Sequence, residues 1–127
     1  MRRPELKEFA ELLVRRVRDV AIRAQDALLE PQFKNNPKAK RWRKAGVTRE
    51  ALDAVVPEAV DSAIFYLLHA IDNAELRLKF VSKSGEEVDL YETGMSELAG
   101  SYSAHDWIKK FSGERFFDDL KDLKLKL

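Results

Sequence analysis

The 127-residue chain contains no cysteine. That excludes disulfides and thiolate-bound metal or redox centres, and it suits a reducing compartment. Histidine is nearly as scarce, with only His69 and His105. No H-E-x-x-H pair, EF-hand loop or other ligand spacing is present, so neither a metal nor a cofactor is expected. Glycine and proline number five and four. Gly94 and Gly100 are wrongly spaced for a dinucleotide fingerprint, and nothing matches a P-loop. The longest apolar run, AIFYLLHAI at 63–71, is about half of the ~20 residues that a bilayer span needs. The opening MRRPELKEFAELL is charged throughout and lacks the apolar core of a secretory signal. These absences lead us to expect a soluble, cytoplasmic protein with no membrane partner. Two further absences are local. Residues 31–49 contain no acid, and no Lys or Arg occurs between Lys83 and Lys109.

What is present fits one domain. Apolar residues are 45% and charged residues 35% of the chain, a globular composition at a common domain size. No repeat, low-complexity tract or linker divides it, so residues 1–127 are taken as a single globular domain.

Apolar periodicity predicts the elements. Leu6, Ala10, Leu13, Val17, Val20, Ala24 and Leu28 step by three or four and predict a helix over 4–29, with Pro4 in its first turn. Leu12, Val14, Ile22 and Leu29 fall off that seam. They predict a helix covered on more than one side, by its own domain or by a second copy. Pro31 and Pro37 then frame a break, read as a basic loop at about 31–47. Thr48 is an N-cap candidate for a second helical region, which Pro57 is expected to kink or to divide into 49–55 and 57–72. In that region Glu58, Asp61, Ser62, His69 and Asp72 form a polar stripe taken to face outward. The period changes to two at 75–92, where ELRLKFVS and EEVDLYE flank KSGE, and predicts a β-hairpin with Gly85 in its turn. Short C-terminal helices should follow, around Trp107, Ile108 and Phe111 and around Phe116 to Leu123. The LKLKL ending alternates, leaving helix, strand or tail open for 120–127. The expected fold class is α+β, two long N-terminal helices packed with a β-hairpin and short C-terminal helices.

The net charge of +1 conceals a strong polarity. Residues 31–49 carry +7, and residues 50–106 carry −9. The basic stretch offers Lys38, Lys40, Arg41, Trp42, Arg43 and Lys44 for contact with protein or nucleic acid, cations for charge and Trp42 for stacking. The bland alternative is a solvated loop whose cations face the chain's own acidic segment, with Trp42 tucked against the core. Glu86, Glu87 and Glu92 form an acidic edge that could receive a basic partner, or could simply discourage strand addition. His69, Tyr102, His105 and Trp107 are the candidate pocket residues. Ser62, His69 and Asp72 do not form a catalytic triad, because Ser62 and His69 lie about 10 Å apart along one helix.

No catalytic constellation emerges. The expected function is that of a small non-enzymatic interaction protein with polarised charge, of immunity or inhibitor type. Its partner would be another protein or a second copy. Nucleic-acid binding through 34–49 and a small enzyme near His69 and His105 are the alternatives.

Overall fold

The computed structural model describes residues 3–104 and 106–117. It is mostly helical with one small antiparallel sheet, consistent with the expected α+β class. The elements run α1 (Pro4–Leu12), α2 (Asp19–Asp26), α3 (Pro37–Lys44), α4 (Arg49–Asp72), β1 (Lys79–Val81), β2 (Glu87–Asp89), α5 (Leu90–Gly94), α6 (Leu98–Ser103) and α7 (Asp106–Phe111). His105 and the expected helix, strand or tail at 120–127 lie outside the described residues.

Helices α1 and α2 are one rod joined by a wide π turn, Leu13–Arg18, in which the Asp19 N–H reaches back to the Val14 carbonyl. Such a turn adds one residue to the helical repeat and shifts the buried face. Before it the expected seam holds at Ala10 and Leu13. Within it and after it Val14, Arg18, Asp19 and Ile22 point inward, while Val17 and Val20 are exposed. The regular seam through Val17 and Val20 is therefore corrected.

Helix α4 is continuous from Arg49 to Asp72, with Thr48 capping it through a bond from the Ala51 N–H. Pro57 neither divides it nor ends it. A mid-helix proline leaves the carbonyl four residues earlier without a donor. That carbonyl belongs to Asp53, and the Arg115 guanidinium supplies the missing donor at 3.1 Å.

The sheet is smaller than the expected 75–92 hairpin. Its register pairs Lys79 with Asp89, Phe80 with Val88 and Val81 with Glu87, around a turn in which Gly85 has φ +90°. The second strand stops because the Asp89 carboxylate accepts the Tyr91 and Glu92 N–H groups and starts α5.

Helices α2 and α4 run antiparallel, with Arg18 against Asp61 and Ile22 against Leu52 and Val56. The main core joins Val14, Ile64, Leu68 and Ile71 to Val88, Leu98, Trp107 and Ile108. Each such buried side chain contributes roughly 1.5–3 kcal/mol. A smaller cluster, Ile22, Leu52 and Val56, extends toward Trp42 and Val47. Of the polar stripe expected to face outward on α4, Glu58, Ser62 and His69 are exposed, and the other two members are corrected. Asp61 and Asp72 turn inward, and Val55, Tyr66 and Leu67 are exposed instead. Asp72 accepts the Leu98 and Ala99 N–H groups and so caps α6 from another helix.

Candidate protein-contact surface

Within the stretch of about 31–47 expected as a basic loop, Pro37–Lys44 is helix α3. Asn36 accepts the Lys38 and Ala39 N–H groups at 2.9 and 3.3 Å, and Pro37 occupies the first turn, where its missing N–H costs nothing. Both residues read from sequence as loop formers; together they start a helix. Gly46, at φ +80°, ends it and lets the Val47 N–H return to the Trp42 carbonyl.

Ala39 is fully buried and anchors α3 on the fold. Arg43 also has a structural task, donating to the Leu29 and Glu30 carbonyls. Arg49 likewise binds the Asp26 carbonyl. Lys34, Lys38, Lys40, Arg41 and Lys44 are exposed, and none of them has an ion-pair partner among the described residues. Among the described residues these cations therefore form no ion pair with the chain's own acidic segment. Trp42 is neither buried nor free. One side of it packs toward Val47 and the small cluster, and the rest lines an open apolar groove of about 340 Å³ with Gln25, Val55 and Ala59.

Glu86, Glu87, Glu92 and Glu97 are exposed around the hairpin and α5, at the other end of α4. Arg77 organises this acidic pole. It binds Asp89 at 2.5 Å, approaches Glu92 at 3.9 Å and lies 4.8 Å above the Tyr91 ring. The hydrogen bond from Arg77 holds the Asp89 carboxyl below the usual carboxylate range.

Among the described residues, the pocket candidates His69, Tyr102 and Trp107 do not line one common cleft. His69 is exposed on α4, stacked on Phe65 with its Nε2 3.1 Å from the Asn73 amide. Tyr102 and Trp107 are buried edge to face in the core, 6.5 Å between centroids. Tyr102 borders a cleft of about 290 Å³ with Asp61 and Phe65. Trp107 borders a different one, of about 470 Å³, with Leu6 and Met95.

Periodicity missed the polar centre entirely. Arg18 is inaccessible to solvent and grips Asp61 with two bonds, at 2.7 and 3.2 Å. Its remaining donors reach Asp19, Ser112 and the Arg115 carbonyl. Tyr102 donates its hydroxyl to Asp61 at 2.5 Å. Burial first, and then that bond, push the Tyr102 phenol far above its ordinary range. Asp19 also accepts from the Ser112 hydroxyl and the Gly113 N–H. With these donors in place, the network is a brace joining α2, α4, α6 and the segment after α7. The only sequence signal for it was an Arg-Asp pair inside an otherwise amphipathic helix.

No group of three or more metal-ligating side chains occurs among the described residues. Comparison with known proteins gives no match to a family model, a curated protein or a solved structure.

Proposed function

We propose that this chain is a protein-interaction module acting through its two charged poles, and not a catalyst. The observation that carries the reading is that Lys38, Lys40, Arg41 and Lys44 of α3 are exposed without an ion-pair partner among the described residues, on the helix that brings Trp42 to the apolar groove. Cations on a rim steer encounter and set orientation, while an apolar groove with an aromatic edge supplies affinity. The narrower form is an inhibitor or immunity-type protein that presents Glu86, Glu87 and Glu92 to a basic target.

The test compares immobilised wild-type chain with a Lys38→Glu, Lys40→Glu, Arg41→Glu, Lys44→Glu variant in nuclease-treated lysate. Proteins retained by the wild type should be lost from the variant and at high salt. Retention indifferent to the four reversals discards the basic pole. The same comparison with Glu86→Lys, Glu87→Lys and Glu92→Lys decides the acidic pole.

Nucleic-acid binding is the second reading, supported by α3 being an exposed basic helix that carries a tryptophan. Against it, the next turns expose Glu50 and Asp53, which interrupt a positive face. A gel shift at low salt that the four α3 reversals abolish would favour it; no shift removes it.

A further inference from the structure

We infer that the uncovered face of α2 and α4 is an interface, and that its occupant is a second copy of this chain, packed antiparallel about a two-fold axis. The inference rests on the interaction reading above and names its partner.

The two antiparallel helices are covered unequally. On one side Asp19, Asp26 and Asp61 hold Ser112, Arg115 and Tyr102, so α6 and the segment after α7 are fastened there. The other side is apolar and open. On α4 it presents Val55, Ala59, Ala63 and Leu67 at i, i+4 spacing, all exposed, with Val55 at 59%. On α2 the matching row runs from Gln25 through Ala21 toward Val17, which is 50% exposed. Gln25, Val55 and Ala59 line the same groove, which places both rows on one face. A contiguous exposed apolar row of this kind marks a contact surface.

Charge selects the occupant and its direction. Helix α4 has 24 residues and is therefore about 36 Å long. The +7 segment 31–49 sits at its start and the acidic hairpin follows its end. That separation exceeds the ~8–10 Å screening length several times, so the poles cannot neutralise each other within one chain. A two-fold axis between Ala59 and Ala63 sets the basic end of each copy against the acidic end of the other. Parallel pairing would instead oppose like charges. The same axis pairs Val55 with Leu67 at each end and places the small Ala59 and Ala63 at the crossing, where backbones approach closely. The contact is isologous and closes as a dimer.

Sedimentation equilibrium of the full chain tests this. At low salt the mass should be twice the 14.6 kDa of one chain and should fall toward one chain as salt rises. Ala63→Glu should give a monomer with unchanged circular dichroism. Reversal of Lys38, Lys40, Arg41 and Lys44 to Glu, or of Glu86, Glu87 and Glu92 to Lys, should each weaken the dimer at least tenfold. Mixing the two reversed chains should restore it as a heterodimer. The absence of cysteine allows a second, geometric measurement. Val55→Cys mixed with Leu67→Cys should cross-link on oxidation, and Val55→Cys alone should not. A wild type that stays monomeric at low salt overturns the inference, as does a dimer indifferent to Ala63→Glu or a mixture that fails to reassociate. A monomer whose α3 reversals still abolish capture of other proteins would sink only the dimer. A dimer that captures nothing would sink only the heterologous contact.

Discussion

Arg115 donates its Nε–H to the carbonyl oxygen of Asp53 at 3.1 Å, the acceptor that Pro57 leaves without a helical donor. Its other nitrogens bind Asp26 at 2.8 and 3.1 Å, so one side chain repairs α4 and ties it to α2. A proline in a helix interior costs ~3 kcal/mol, largely through the lost bond and steric clash. Arg115→Ala is expected to lower unfolding free energy by about 1–3 kcal/mol, measured in urea. The loss should be smaller when Pro57→Ala is already present, because residue 57 then supplies its own N–H to Asp53. Equal losses in both backgrounds would show that Arg115 acts only through Asp26.

The Arg18–Asp61 pair predicts a steeper asymmetry. Removing Asp61 takes away the two shorter charged bonds of the buried Arg18 and leaves it only Asp19, at 3.3 Å, as an ion-pair partner. Asp61→Ala should therefore cost about 3–5 kcal/mol. The double variant Arg18→Met, Asp61→Leu should be less damaging than Asp61→Ala alone, because both charges leave together. Thermal unfolding of the three proteins side by side decides it.

Tyr102 sets an alkaline limit. Its folded pKa is raised, so its contribution to stability is complete below the unfolded value of about 10 and declines as pH rises beyond it. In a Tyr66→Phe, Tyr91→Phe background the phenolate absorbance belongs to Tyr102 alone, since the chain has three tyrosines. That absorbance should rise together with the loss of helical circular dichroism. Ionisation before unfolding would contradict the buried bond to Asp61.

Asp89 works in the opposite direction. Its pKa is lowered in the folded chain, so the carboxylate supports the hairpin above about pH 4. That support is lost as pH falls through the depressed value. The carboxyl resonance of Asp89 should titrate below the normal range and return toward it in Arg77→Leu. A midpoint unaffected by Arg77→Leu would remove the ion pair as the cause.

Asp72 replaces the missing local cap of α6. Its two oxygens accept from Leu98 and Ala99, at 3.1 and 2.9 Å. Asp72→Ala should cost about 0.5–2 kcal/mol in urea unfolding, the range of a lost N-cap.

Local patterns in the chain carried much of the architecture. Thr48 as a cap, Gly85 as a left-handed turn residue and the alternation around Phe80 and Val88 depend on neighbours within a few positions. The same locality misled at Asn36 and Pro37. Both residues suit loops, and only their order, cap followed by first-turn proline, marks a helix start. Part of the candidate surface was legible as well. Lys38, Lys40, Arg41 and Lys44 are exposed, and their number was plain from composition. Arg43 was not separable from them, because its bonds go to Leu29 and Glu30 carbonyls that meet it only after folding.

By itself the sequence determined the helical majority, the hairpin turn, the charge polarity and the absence of cysteine chemistry. Each follows from composition or from residues close in the chain. Tertiary structure alone decided the phase shift of the π turn, the burial of Arg18, the continuity of α4 through Pro57 and which α3 cations, Arg43 but not Lys38, Lys40, Arg41 or Lys44, find partners among the described residues. Those depend on partners distant in the chain, as in Arg18 with Asp61 or Arg115 with Asp53, or on their absence. A buried charge is tolerated only where distant donors and acceptors converge on it, and no local pattern encodes that convergence.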